Sequence, residues 1–463
     1  MIGFRASIIY FKEDPYFLEV QEDSIYYYQD GMLIVDKESG LVVQCGQYNE
    51  LVEEYPDIDI DEQFKGQLIM PGFIDCHTHY PQTEMICTFS TDLFSWLNTY
   101  TFPTEDQFKD LSYARKISQF YLNQLLKNGT TTALVMATIH PESVQALFEE
   151  ATKLNMRIIT GKTLMDRNAP EFLCDTPESA YSDSLNLIEK YHNKGRCLYS
   201  ITPRFSPTST REQLQAAGKL KLRYPDVYMH THLSESIEQV EFAQSLYPEN
   251  QSDIQIFEQS NLVDKKSVFA HCVMCPKSES DQLSRLQCGV AFCPTSNFCY
   301  GAGIFPYHEF VQKNVNFGIG SDVGGTTDFS LLKTLQDAYK VVMISQKDTK
   351  NRKPMSSFEG FYRATLGGCK ALHLEDKLGK FEPGYEADFV VLDWFTNDIQ
   401  KLRHETIEKR SGKAQRHLNS CKSDSQSDKF MLAQRLFGIM MMGDQHSIKA
   451  TYISGKQCYL RKN

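Results

Sequence analysis

The sequence predicts an α/β fold: a (β/α)8 barrel of the TIM type, with a small composite β-sandwich domain built from both chain ends. Three observations predict it. From Leu68 onward, short apolar runs alternate with amphipathic stretches. The segments before Leu68 and after Leu378 lack this rhythm and read as short strands. Titratable residues recur where the apolar runs end, which is the face on which such barrels carry their chemistry.

The chain has 463 residues, room for one large domain and an accessory one. The expected organisation is 1–67 for the first part of the β domain, 68–377 for the barrel and 378–463 for the rest of the β domain. In the first segment, Ser24 to Tyr28 and Met32 to Val35 flank Asp30-Gly31, a hairpin signal, and a second turn at Ser39-Gly40 precedes Leu41 to Cys45. Taken as all-β, this segment is too small for a core of its own and needs a partner.

Barrel strands are expected at 68–76, 131–137, 156–163, 197–203, 226–232, 267–271, 289–293 and 315–321. Helical patterns lie between them, at 106–127, 142–153, 177–193, 209–222 and 277–286, and Asn128-Gly129 closes the first as a C-cap. Beyond the barrel, Leu378 to Trp394 and Thr451 to Tyr459 turn β-like again. Residues 403–429 are polar and charged, and that composition reads as a solvated loop or disordered insertion. Arg435 to Gly438 and the methionines that follow read as a packing helix.

Composition narrows the function. A hydrophobic content of 41% and a charged content of 23% fit a globular protein. The net charge of −11 disfavours nucleic acid or an anionic membrane as partner. No apolar run is long enough to span a bilayer, and charges break up MIGFRASIIYFKEDPYF, so it does not read as a signal peptide. The 13 scattered cysteines read as reduced thiols, which places the expected location in the cytoplasm.

The first expected barrel strand ends in His77-Thr78-His79. Alternate side chains of a strand share a face, so the two imidazoles converge. One such pair is weak evidence, because His-x-His also occurs as two hydrogen-bonded histidines. Further candidates downstream strengthen it. Strand four ends at Arg204-Phe205, strand five at His232 followed by Glu235, strand six at His271 and strand eight at Asp322. A lone histidine in an apolar strand is usually a satisfied core residue, but that does not explain several titratable groups at one end of different strands. His77, His79, His232 and Asp322 together offer three nitrogens and one carboxylate, a set that fits zinc and ferrous iron alike. Such an ion makes hydroxide available near neutral pH. Asp322 is a candidate acceptor of the water proton. Glu235, one turn after His232, is a candidate proton shuttle and fits equally a first-turn glutamate facing a helix dipole. His230 repeats the His-x-His pattern one layer deeper and reads as a core or supporting residue. His271-Cys272-Val273-Met274-Cys275 lacks the second pair that a structural zinc needs.

A second metal typically needs a carboxylated lysine at the end of strand four, and this chain has Arg204 there, so one ion is expected. The planar fork of Arg204 suits an oxygen or ring nitrogen of a flat substrate, and Phe205 beside it suits stacking. Gln82 can donate and accept. Asp92 to Thr104 reads as an aromatic loop placed to act as a lid. A different zinc design, His-x-Glu followed by Pro-Cys-x-x-Cys, is rejected: His373-Leu374-Glu375 has no such sequel.

PGFIDCHTHYPQ, WLNTYTFPTE, NGTTTALVMATIH, ITPRFSPT, THLSE, CPTSN, GSDVGG and ATLGG together resemble, in order, segments of the amidohydrolase superfamily and within it of the guanine-deaminating family. The resemblance spans nearly the whole chain. It implies hydrolytic removal of the amino group of guanine, one Zn2+ per chain (or Fe2+) held by His77, His79, His232 and Asp322, and a homodimer. It further implies that His79, Tyr80, Pro81, Gln82, Arg204, Phe205, His232 and Asp322 meet the purine, that Glu235 shuttles protons with Asp322, and that His271 polarises or holds the reacting centre. The chain departs from the family at Phe292, where His is common, at His230, where Gln is common, and at Thr326. Rival expectations are an amidohydrolase for an adenosine-like, triazine or pterin substrate, and a non-catalytic scaffold on the same barrel.

Overall fold

The computed structural model describes residues 1–18, 20–90, 93–346, 350, 352–417 and 424–462. Its centre is a barrel of eight parallel strands: β1 (Phe73–His79), β2 (Thr130–Met136), β3 (Arg157–Gly161), β4 (Cys197–Pro203), β5 (Tyr228–Leu233), β6 (Ser267–His271), β7 (Gly289–Phe292) and β8 (Asn316–Ile319). Each pairs with its neighbour in chain order. Residues just past β8 return to β1, with the Asp322 amide donating to the His77 carbonyl at 2.9 Å. The interior is filled by Ile74, Leu134, Ile159, Tyr228, Val268, Ala270 and Ala291, while alternate residues such as Phe73, Ala133, Ile158, Met229 and Phe269 pack against the surrounding helices. The helices follow amphipathic stretches, and several carry side-chain caps, among them Thr176, Thr210 and Ser236. Asp110 caps Leu111–Lys127 through the Ser112 and Tyr113 amides, so the expected helix from 106 is interrupted, and its first residues form a separate turn. Asn128 and a left-handed Gly129 (φ 78°) close that helix as expected.

Both chain ends meet in one eight-stranded sheet. Ile2–Phe11 lies between Leu68–Pro71 and Ile25–Val35, and Phe389–Leu392 joins Leu68–Pro71 to Ile448–Ile453. The pleat divides the side chains. Ile8, Tyr10, Phe389 and Val391 share a small core, whereas Ile9, Phe11, Val390 and Leu392 belong to the core around the barrel. At the start of β3 and just before β4, Arg157 and Arg196 reach Glu386 and Asp388, tying the base of the barrel to the segment that re-enters the sheet.

Several expectations are corrected. The strand expected over 68–76 is two strands, Leu68–Pro71 in the sheet and Phe73–His79 in the barrel. The chain changes sheets at Gly72, where a Cβ would lie 2.2 Å from the Thr131 hydroxyl oxygen. Asp30-Gly31 is no hairpin turn. Ile25–Val35 runs straight through it, with Gly31 opposite Ala6 and hard against Ile8 and Tyr28. The first segment is not all-β either, because Tyr48–Glu54 is a helix. The expected loop at 403–429 is largely helical: Asp398–His417 and Asp424–Met442 cover all of it except 418–423, which lie outside the described residues. Its Lys, Arg, Glu and Gln content is polar but helix-forming. The expected packing helix at 435–442 is the end of the second of these, with Leu436, Ile439 and Met440 buried. Of the aromatic stretch 92–104, residues 93–101 form a short helix running into a wide π turn rather than a loop. Asp92 lies outside the described residues.

Candidate active site

Strand β1 carries one extra residue against β2 between Asp75 and Thr78. This bulge shifts the parity of the strand. Ile74 and Cys76 pack in the barrel interior, yet His77 and His79, one residue out of phase, converge above them. Beneath the bulge, buried Asp75 accepts from the Ser321 amide (3.0 Å) and hydroxyl and from the His77 amide (3.2 Å), locking the end of β1 to the turn that carries Asp322. Ser234, His271, Cys272 and Asp322 all have positive φ (48°, 72°, 52° and 51°), so the backbone turns sharply at the mouth where β5, β6 and β8 end.

Four ligand atoms meet there. His79 Nε2 lies 3.2 Å from His77 Nε2 and 3.3 Å from His232 Nε2. Asp322 Oδ1 lies 3.1 Å from His77 Nε2 and 3.3 Å from His79 Nε2. The tautomers are set from behind: His232 Nδ1 donates to the Arg204 carbonyl at 2.7 Å, and His77 Nδ1 lies 2.7 Å from His230 Nε2. Burial lowers all three histidines, His77 to about 3, so they stay neutral with nitrogen lone pairs turned on one another. Burial alone would raise Asp322, but its contacts with His77 and His79, with His271 nearby, hold it well below the usual carboxylate range. Facing lone pairs and a buried carboxylate call for a cation. Two overlapping groups of ligand atoms could hold an ion, His77, His79 and His232, and His77, His271 and Asp322; they share His77, so three imidazoles and the Asp322 carboxylate suit one divalent metal rather than two. His271 Nδ1 lies 3.0 Å from Asn297 Oδ1, while its Nε2 has no hydrogen-bond partner and stands 3.7 Å from Glu235 and 3.8 Å from Asp322.

Over this cluster lies a partly enclosed pocket. His79, Gln82, Arg204, Phe205, His232, Glu235 and Asp322 line it. Tyr80 and Pro81 do not. The turn Tyr80–Met85 swings the Tyr80 ring into the core beside Phe108 and Tyr121, and its hydroxyl donates to the Ser143 carbonyl at 2.6 Å. Trp96 and Leu97, from the expected lid, are in the wall. Glu235 is buried, and that burial raises its carboxyl against the opposing effect of His271.

Sequence reasoning missed Glu105, Tyr300 and Asn297. Glu105 is the most consequential. It is fully buried and accepts from Arg204 Nη1 at 2.9 and 3.0 Å and from Gln82 Nε2 at 3.2 Å, joining two pocket residues. Asn297 lies within CPTSN, one of the quoted segments, and Tyr300 follows it closely.

Comparison with known proteins agrees with this geometry. The amidohydrolase family profile matches residues 68–458. Guanine deaminase of Escherichia coli K12 is 44% identical over 433 residues, 94% of this chain and 92% of its own length, and its structure superposes with a TM-score of 0.89 at full coverage of both chains. Guanine deaminase of Bradyrhizobium japonicum gives a TM-score of 0.92 at 34% identity, covering 100% of this chain and 99% of its own. That of C. acetobutylicum, solved with guanine in its active site, gives 0.84 at 27% identity over 99% of each chain. With these matches over its barrel and its ligand cluster, the chain belongs to the amidohydrolase family, among the guanine deaminases.

Proposed function

We propose that this protein hydrolyses guanine to xanthine and ammonia, using one zinc ion held by His77, His79, His232 and Asp322. The observation that carries the reading is the joining of two sets of groups in one pocket: a converging ligand cluster, and beside it an arginine fork, an aromatic ring and a buried carboxyl. When bound, the cation polarises a water molecule and lowers its pKa toward neutrality.

The protein's own side chains do the rest. Phe205 offers its ring to the purine plane, and Arg204, its Nη1 committed to Glu105, offers the remaining fork donors to an oxygen or ring nitrogen. Gln82 fixes a second polar edge. Glu235 takes one proton from the attacking water, while Asp322 orients that water by accepting a hydrogen bond from its other O–H. As the C–O bond forms at the amino-bearing carbon, Glu235 delivers a proton to the adjacent ring nitrogen. It then takes up the water's remaining proton and gives one to the amino group, so that the C–N bond breaks and ammonia departs. Burial suits Glu235 to this exchange, because a raised carboxyl pKa lets it hold a proton and return it. His271, with a free Nε2 beside both carboxylates, steadies the charge that builds there. The family resemblance also supports a cytoplasmic homodimer, which sedimentation of the purified protein tests. Among the described residues no helix is long and apolar enough to cross a membrane.

A steady-state assay with guanine, run beside adenosine, a pterin and a triazine, tests the substrate. Turnover of one of the others but not of guanine refutes the reading. Glu235→Gln keeps the shape but cannot ionise, so kcat should fall by at least about a hundredfold with metal content unchanged. Loss of metal in that variant would make Glu235 a ligand instead.

A further inference from the structure

Behind the pocket lie two buried carboxylates that the reaction does not use. Asp253 Oδ1 accepts from the Ser206 hydroxyl at 2.5 Å, and Oδ2 from the Ser234 amide at 3.3 Å and Gln239 Nε2 at 3.4 Å. Glu279 accepts from the Ser234 hydroxyl at 2.9 Å and the Ile254 amide at 3.1 Å. No lysine or arginine pairs with either among the described residues. Burial raises both carboxyls against the hydrogen bonds they accept, Asp253 to about 7 with the charge of Glu279 adding to the effect. Such a cation-free pair is costly to bury, and two of its donors, Ser206 and Ser234, directly adjoin the pocket residues Phe205 and Glu235.

Ser234 is the residue before Glu235 and sits at φ 48°. Each of its polar groups is held: the amide by Asp253, the hydroxyl by Glu279, and the carbonyl by the Met274 amide at 2.8 Å. The Glu235 amide in turn donates to Gln239 Oε1 at 3.2 Å, and Gln239 is the third donor to Asp253. We propose that Asp253 and Glu279 are positioning residues for Glu235: they clamp Ser234 from two sides, and Gln239 through Asp253, so that the left-handed turn aims the shuttle carboxyl at the reacting atoms. This rests on the assignment of Glu235 as the shuttle.

Asp253→Asn separates this role from general support. An asparagine can keep the bond from Ser206 with its oxygen, but it then turns an NH2 group toward the Ser234 and Gln239 donors, on the Glu235 side alone. Misplacement of a reacting group by about 1 Å costs on the order of a hundredfold. The expected result is a fall in kcat of about ten- to a hundredfold, with KM for guanine and metal content close to wild type. Gln239→Met, which removes the Glu235 tether at nearly equal length, should show the same split and decides the matter if the Asp253 variant folds poorly. Wild-type kcat in both variants overturns the proposal, as does a loss of metal that tracks the loss of rate. Should wild-type protein fail to turn over guanine, the substrate reading falls, and a crystal structure of Asp253→Asn still decides this one: Glu235 displaced from its place beside His271 supports it, and Glu235 unmoved overturns it.

Discussion

Glu105→Gln is expected to weaken guanine turnover without touching the metal. Glu105 is wholly buried and Arg204 is 3% exposed, so their pair at 2.9 and 3.0 Å is made out of reach of solvent. Removing one partner of a buried ion pair costs about 3–5 kcal/mol, because the other charge is left uncompensated. Glutamine keeps one carbonyl oxygen for Arg204 Nη1, so roughly half of that, about 2 kcal/mol, is a fair expectation. That figure is a folding free energy; expressed wholly as lost substrate binding through Arg204 and Gln82, at about 1.4 kcal/mol per decade, it sets the loss in kcat/KM at no more than about thirtyfold. Most of it should appear in KM, since Arg204 and Gln82 are the groups released. Initial rates across guanine concentrations, metal analysis of the same preparation and a thermal unfolding curve together make the assay. A variant that unfolds earlier yet retains wild-type kcat/KM would refute the reasoning, leaving Glu105 as a structural ion-pair partner only. Loss of metal would refute it too, since none of its bonds reaches a ligand.

Three further outcomes are expected. His77→Ala should lose metal and activity together, and full activity in a thoroughly chelated preparation would end the metal reading. Arg204→Lys keeps the charge but not the fork, so kcat/KM should fall with metal retained, by about tenfold or more; wild-type kinetics would remove Arg204 from substrate contact. Glu359, at the third position of helix Ser357–Ala364, is raised from 4.5 to about 7 by burial, against its bond from the Ser356 amide and the charge of Arg363. A carboxyl raised on folding contributes its stability in full below 4.5, and that contribution is lost as pH rises through about 7. Glu359→Gln, which preserves the capping box, should therefore flatten the stability profile between these values by up to about 3 kcal/mol, read as denaturant midpoints at pH ~5 and ~8.

The barrel was legible because its signals are local. Apolar runs of strand length, capped helices such as Leu111–Lys127 and the His-x-His spacing each sit within a few residues, and the structure places the strands within a few residues of expectation except at Leu68–Cys76. The failures share a different cause. Gly72 ends a strand because Thr131 needs the space of its Cβ, and Gly31 continues one because Ile8 and Tyr28 close over it, so both depend on residues remote in sequence. The bulge that turns His77 and His79 inward is a mismatch against β2, invisible within β1. Glu105 closes the segment WLNTYTFPTE but lies 99 residues from Arg204, so nothing local marks it as the partner of that arginine. The helix over 398–417 was misread because composition was weighed for burial rather than for helix propensity.

The shared sheet sets a timetable for folding. Leu68–Pro71 pairs on one side with Ile2–Phe11, which is available at once, and on the other with Phe389–Leu392, more than 300 residues later. At the usual ribosomal pace of about 5–20 residues per second, the second partner emerges roughly a quarter of a minute to a minute after the first. Throughout that interval Ile69 and Met70 form one flank of an unfinished sheet whose apolar face has nothing to cover it. Ribosome-bound fragments ending before about residue 390 should therefore be the most prone to aggregate and the most dependent on chaperones, even where the barrel strands are already complete.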